Sequence, residues 1–245
     1  MTLQLPLPFE LRDDHKLSSF VHGSNTTLVE ALCGLASVGG EGQMLWIQGG
    51  AGSGKTHLLQ AVVGHYSDQA VEVAYLPATQ ITGEHAASML EGAQRYRVLV
   101  IDDVDCWLGQ RLAEVELVRL YQERRHAGNH LLLSATLPPT GYKMALPDWQ
   151  SRARGAVLYT LHELSDEDKL EVLMARADRL GLELGDSVAT YLLRHGPRGL
   201  PQMIEILARV DRLALAEQRR LTVPLLKKVL HNASANPEDI TGTLS

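Results

Sequence analysis

The run Gly49-Gly50-Ala51-Gly52-Ser53-Gly54-Lys55-Thr56 has the spacing G-x-x-x-x-G-K-[ST]. That spacing suits a grip on phosphate. Glycines let successive backbone N–H groups turn toward phosphate oxygens, where side chains would obstruct. A helix starting at the end of the run adds unpaired N–H donors and a partial positive charge. Lys55 is expected to reach the β and γ phosphates, and the Thr56 hydroxyl to ligate Mg2+. Gly49, Gly50, Ala51, Gly52, Ser53 and Gly54 form the cradle, and His57 follows on the first helical turn. The predicted ligand is ADP or ATP with Mg2+.

A pair of carboxylates lies downstream. Val98-Leu99-Val100-Ile101 is an apolar run that ends in Asp102-Asp103. It reads as a strand of a parallel sheet buried on both faces. Open α/β sheets bind their ligands at the carboxyl ends of such strands. Asp102 is expected to hold Mg2+ through its carboxylate or a bound water. Asp103 is placed to polarise an attacking water as a general base.

These groups need a scaffold, and the hydrophobic pattern supplies one. Met44-Leu45-Trp46-Ile47 predicts a buried strand before the glycine loop, and Thr56 to Val63 a helix after it. Further strands are expected at Val71–Tyr75, His130–Ser134 and Val157–Leu161. A weak helical segment covers about 83–93, and a helix about 112–126. This alternation predicts an α/β fold with a parallel sheet flanked by helices. After Leu164 the pattern is helical only, at about 166–180, 186–194, 201–218 and 222–230. Ser165 is a predicted N-cap, with Asp168 facing it. Leu170, Leu173, Met174 and Ala177 form one apolar stripe. Ile204, Leu207, Val210, Leu213 and Leu215 form most of another. Residues 232–245 are polar and unpatterned, and are expected to be disordered.

Bulk composition narrows the function. The 245 residues are 45% hydrophobic and 21% charged, as in soluble globular proteins, and the net charge is −6. The absence of a strongly basic surface argues against a dedicated nucleic-acid binder without forbidding local basic patches. The two cysteines, Cys33 and Cys106, lack metal-ligand spacing and read as buried reduced thiols, which suits the cytosol. There is no basic, then apolar, leader pattern. No apolar run approaches the ~20 residues that span a bilayer.

A phosphate-loop α/β domain with a small helical lid appended suggests the AAA+ class. In such ATPases an arginine from a neighbouring protomer meets the γ-phosphate and stabilises charge in the transition state. Arg152, in Leu146-Pro147-Asp148-Trp149-Gln150-Ser151-Arg152, is the candidate here, with Arg154 the second choice. The N-terminal Gln4-Leu5-Pro6-Leu7-Pro8-Phe9 carries a different message. Its spaced apolar residues and aromatic can dock in extended form, and the prolines lower the ordering cost.

With Gln4–Phe9, the phosphate loop, Asp102-Asp103, Ser151-Arg152 and Gln218-Arg219-Arg220-Leu221-Thr222-Val223-Pro224, the chain resembles the DnaA/Hda family over about residues 3–231. Phe20-Val21-His22-Gly23-Ser24-Asn25 is similar to the segment that lies near the adenine base in that family, which makes Val21 a nucleotide contact. Gln4, Leu5, Leu7, Pro8 and Phe9 resemble the motif that docks on the DNA polymerase sliding clamp. The resemblance implies a cytoplasmic, nucleoid-associated adaptor. Nucleotide-bound and seated on a DNA-loaded clamp, it would present Arg152 to DnaA–ATP and promote hydrolysis, which prevents re-initiation. DNA is then met only through the clamp, and a homo-oligomer is also admitted. Turnover by the chain itself is expected to be slow or incidental, although Asp103 is retained. The implied domains are 1–19 (clamp binding), 20–164 (nucleotide binding), 165–231 (lid) and 232–245 (tail).

The chain departs from the family pattern at two contacts. Thr136 stands at the sensor 1 position, where it can still bond phosphate or water, and Leu137 replaces a basic neighbour. Pro201 stands where the sensor 2 arginine is expected, and Arg198, one turn earlier, is the candidate to replace it.

Other readings compete. An initiator of the DnaA type needs a helix-turn-helix domain after the lid, and the polar stretch after His231 is too short for one. A helicase-loader or transposition-helper ATPase has no use for Gln4–Phe9. A metabolic P-loop kinase predicts a basic acceptor pocket and no protein partner.

Overall fold

The computed structural model describes residues 17, 20–37, 39, 41–179, 181–197, 199–216 and 221–235. Gln4, Leu5, Leu7, Pro8, Phe9, Arg198 and residues 236–245 lie outside them. The chain divides into two compact units, Met1–Glu163 and Leu164–Ser245.

The first unit is built on a five-stranded sheet. Its strands are β1 (Met44–Gln48), β2 (Val73–Pro77), β3 (Val98–Asp102), β4 (His130–Ala135) and β5 (Val157–Thr160). All neighbours pair in parallel, in the order β2-β3-β4-β1-β5. The three central strands β1, β3 and β4 carry almost entirely buried residues. Two-sided burial is why they read as continuous apolar runs rather than as alternating ones.

Helices cover both faces. Met44, Trp46, Leu99, Ile101, Leu131 and Leu133 pack against α3 (Ala86–Leu90), α4 (Arg111–His126) and α5 (Pro147–Arg154). Leu45, Ile47, Val98, Val100 and Leu132 pack against α1 (Thr26–Gly34) and α2 (Lys55–Asp68). The helix after the phosphate loop is thus fastened by Leu58, Leu59, Val62 and Val63, all buried. At about 1.5–3 kcal/mol for each large apolar side chain, this anchorage fixes the loop's position against the sheet.

Several elements differ from the expected ones. The strand expected at Val71–Tyr75 runs two residues later, because its register with β3 carries pairing on to Pro77 opposite Asp102. The weak helix of 83–93 is a 3-10 turn at Gly83–His85 and a short α3, since the backbone becomes extended at Glu91 and left-handed at Gly92, φ 78°. Cys106 is exposed and Cys33 only half-buried, so neither is the buried thiol expected.

The second unit is helical: α6 (Asp166–Arg179), α7 (Asp186–His195), α8 (Leu200–Ala216) and α9 (Val223–Ala235). Ser165 and Asp168 close a reciprocal cap on α6. Asp168 N donates to Ser165 Oγ at 3.1 Å and Ser165 N to Asp168 Oδ2 at 3.1 Å. Leu173 and Ala177 meet Met203, Ile206, Leu207, Val210 and Ala214 in its core. Leu213 and Leu215 of the predicted stripe are instead exposed, at 37% and 70%. The last helix continues to Ala235, into the stretch expected to be disordered.

Candidate nucleotide site

The phosphate loop links β1 to α2. Gly52 and Gly54 have φ of 77° and 96°, left-handed backbone that glycine adopts without a steric cost. A Cβ on Gly49 would lie 2.7 Å from Ser53 Oγ and 3.1 Å from the Leu161 carbonyl. Ala51 and Gly52 are exposed, while Gly54 caps α2 with no side chain in the way. The first N–H groups of α2 therefore keep their usual lack of intrahelical acceptors.

Two observations test whether phosphate fits here. Ser53 Oγ is buried and has no hydrogen-bond partner among the described residues, an unusual state for a polar atom. Lys55 is 7% exposed, and its Nζ donates to the carbonyls of Gly49 at 2.8 Å and Gly50 at 3.1 Å. Two of its three donors thus point back into the loop. A buried ammonium, an orphan hydroxyl and a helix N-terminus together make a donor set without a competing carboxylate in the loop itself, and it fits a nucleoside phosphate. Thr56 is exposed on the first turn of α2.

The lead-in segment packs on the same turn. Phe20 stacks on His57, with ring centroids 5.7 Å apart, and Val21 beside it is half-buried. Asn25 then fixes this segment to the chain after β5: Asn25 Nδ2 donates to the His162 carbonyl at 3.0 Å, and His162 N donates to Asn25 Oδ1 at 2.8 Å.

The carboxylates end β3 as expected, in different environments. Asp102 is 3% exposed. Its Oδ2 accepts the Tyr75 hydroxyl at 2.7 Å, and its Oδ1 accepts the Ser134 hydroxyl. Asp103 is half-buried in left-handed backbone, φ 54° and ψ 47°. Such a conformation costs a residue with a Cβ about 1–2 kcal/mol. The Asp103 N–H donates to Ser134 Oγ at 2.8 Å, and its carbonyl accepts from Cys106 N at 3.2 Å. Two such bonds at about 1 kcal/mol each offset that strain. Burial, then the Asp102 charge, raises the proton affinity of the Asp103 carboxyl; Lys55 opposes this and Asp105 adds to it. A carboxyl raised in this way suits general-base work.

Thr136, just beyond β4, is exposed, and its N–H donates to Asp105 Oδ2 at 3.2 Å. The same oxygen accepts the Tyr142 hydroxyl at 3.0 Å. Arg152, on α5, bonds Asp148 and lies over the Tyr121 ring, 5.3 Å from its centroid; Arg154 is exposed. The loop from Gly49 to His57 and the pair Asp102-Asp103 therefore converge at the ends of β1 and β3, with Lys55 close enough to act on the Asp103 charge.

Tyr75, Ser134 and Gln60 are the residues that motif reasoning missed. A parity signal was available. Val73 and Tyr75, Val100 and Asp102, Leu132 and Ser134 all fall on the α2 face once the parallel register is known.

Comparison with known proteins agrees with this geometry. The bacterial DnaA ATPase domain family matches residues 11–154, and the Hda lid domain family matches residues 166–230. Domain III of the Thermotoga maritima replication initiation protein DnaA superposes with a TM-score of 0.79 at 20% identity, covering 91% of this chain and 98% of that one. AMPPCP-bound DnaA from Aquifex aeolicus gives 0.70 at 21% identity, over 83% of this chain and 67% of that one. The Thermotoga maritima RuvB Holliday junction branch migration motor gives 0.71 at 18% identity, over 93% and 74%. Parallel sheet, phosphate loop, twin carboxylates and helical lid all point the same way, and the chain belongs to the DnaA/Hda family of AAA+ proteins.

Proposed function

We propose that this chain is a nucleotide-bound adaptor that docks on the DNA polymerase sliding clamp and stimulates ATP hydrolysis by the initiator DnaA. One observation carries the reading: a DnaA-type ATPase module over 11–154 is joined to an Hda-type lid over 166–230. The cradle Gly49–Lys55, with Thr56, His57 and Val21, holds ADP or ATP. Thr56 and Asp102 hold Mg2+, which supplies charge neutralisation between the phosphates when bound. Thr136 and Arg198 are the sensor contacts, and Asp103 is the base for any turnover of the chain's own.

The division of labour follows the segments. Residues 1–19 engage the clamp through Gln4, Leu5, Leu7, Pro8 and Phe9. Residues 20–164 bind nucleotide, and 165–231 form the lid. Arg152 acts in trans on the nucleotide of DnaA, where a guanidinium can neutralise charge that develops on the transferring phosphoryl group. DNA is met through the clamp, in the cytoplasm near the nucleoid.

Capture on immobilised sliding clamp tests the reading. Wild-type chain is retained, and the Gln4→Ala/Phe9→Ala variant is lost. Failure of both to bind, with brisk ATP hydrolysis by the chain alone and no effect on DnaA, overturns it.

A further inference from the structure

A hydrogen-bonded chain crosses the site beneath the phosphate loop. Beside it lies Gln60, on the second turn of α2, 8% exposed and near the Tyr75 hydroxyl. Tyr75 stands on the edge strand β2 and donates to Asp102 Oδ2 at 2.7 Å. Ser134, fully buried on β4, takes the other carboxylate oxygen and also accepts from the Asp103 N–H at 2.8 Å. The two strands that flank β3 thus each send a hydroxyl to one carboxylate.

The placement follows from the sheet. Pro77 pairs with Asp102, so Tyr75, two residues earlier, is its diagonal neighbour on the same face. A diagonal neighbour lies about 7–8 Å away, within reach of a long aromatic side chain and beyond that of a short polar one. A phenylalanine there would satisfy the core contacts of the ring equally well. The hydroxyl therefore serves Asp102, not the packing.

A carboxylate offers about four lone-pair sites. Donors from opposite sides, one on each oxygen, fix the plane of the group and leave the remaining lone pairs for a cation or for its bound water. Outer partners of this kind orient the ligand before the ion arrives. We propose that Tyr75 is a positioning residue for the divalent cation: its hydroxyl locks Asp102 in the orientation that receives the ion. The proposal rests on the reading of Gly49–Thr56 and Asp102 as a nucleotide–cation site.

Tyr75→Phe in the full-length chain tests it, with ADP titrated calorimetrically in EDTA and across a range of Mg2+. Cation affinity is also read directly from the electron-spin signal of free Mn2+ in the presence of ADP. The expected result is ADP affinity in EDTA within about twofold of wild type, with the half-saturating Mg2+ or Mn2+ concentration raised about tenfold. In an Asp102→Asn background the same substitution should have no further effect, because the hydroxyl then has no carboxylate to hold. A purely structural tyrosine would weaken ADP binding in EDTA as well. An unchanged cation requirement in Tyr75→Phe, or an undiminished effect in the Asp102→Asn background, overturns the proposal while leaving the nucleotide site standing. Wild-type chain that binds no ADP under either condition overturns the site and this inference together. If Tyr75→Phe does not fold, Gln60→Leu decides: a smaller shift in cation affinity, again without loss of ADP binding in EDTA, supports the proposal, and no shift counts against it.

Discussion

Arg152 is held by Asp148 one helical turn away: Nε donates to Oδ1 at 3.0 Å and Nη2 to Oδ2 at 3.2 Å. The carboxylate is 56% exposed and the arginine 24%. Solvent-exposed pairs of this kind are worth about 0.2–1 kcal/mol. Asp148 can therefore hold the guanidinium on α5 without trapping it. A partner's phosphate, carrying more charge, would readily displace it.

Arg152→Ala should leave the chain's own ADP affinity unchanged and abolish stimulation of DnaA hydrolysis. Arg152→Lys should also fail to stimulate, because an ammonium lacks the planar fork that grips phosphate oxygens at two points. Asp148→Asn should stimulate within about threefold of wild type, given how little the pair is worth. Phosphate release from DnaA–ATP, with clamp and DNA present, reads all three.

Lys55→Ala is expected to weaken ADP binding by tenfold or more, since about 1.4 kcal/mol corresponds to each factor of ten and a charge-assisted bond is worth about 1.5–3 kcal/mol. Calorimetric titration with ADP measures it. Folding should survive, because among the described residues Lys55 bonds the loop carbonyls of Gly49 and Gly50 and no other element. Affinity equal to wild type would remove the lysine from the site.

Cys106 is exposed yet poorly suited to react. Burial of the thiol, then the charges of Asp105 and Asp103, push it up to about 11. The thiolate is the nucleophile, so its fraction at neutral pH falls about a hundredfold against a free thiol, while higher basicity restores about tenfold of the rate. Alkylation by iodoacetamide at pH 7.5 should be about tenfold slower than for a free cysteine, and faster as pH rises toward 11. Asp105→Asn should speed it. Mass spectrometry of the labelled chain distinguishes Cys106 from Cys33.

Much of the site was legible in the sequence because its signals are contiguous. The loop from Gly49 to Thr56 and the run from Val98 to Asp103 each carry their chemistry within one element and its junction. Ser165 and Asp168 cap α6 for the same reason: the partners are three residues apart. What escaped depends on register between distant segments. Tyr75 and Ser134 meet Asp102 only because β2 and β4 flank β3 in a particular alignment. The helix Thr26–Gly34 was not anticipated, being short and without a side-chain cap. Leu213 and Leu215 misled because the core of the lid is reached instead by Met203, Ile206 and Ala214, a phase set by tertiary packing.

Arg124 is a buried cation whose hydrogen bonds, among the described residues, go to backbone carbonyls. It is 1% exposed at the end of α4. Its guanidinium donates to the carbonyls of Ala93 at 2.8 Å, Tyr96 at 3.0 Å and His130 at 3.2 Å. Burial lowers its proton affinity to about 9, so at neutral pH it stays charged and the carbonyls solvate it. They belong to the turn before β3 and to the first residue of β4, and the arginine thus fastens the two strands whose ends carry Asp102 and Ser134. Arg124→Met keeps much of the volume but strips three carbonyls of their donor. At about 1–3 kcal/mol for each buried group left unpaired, partly offset by no longer burying a charge, the net loss should be about 2–4 kcal/mol. Urea denaturation at pH 7 measures it.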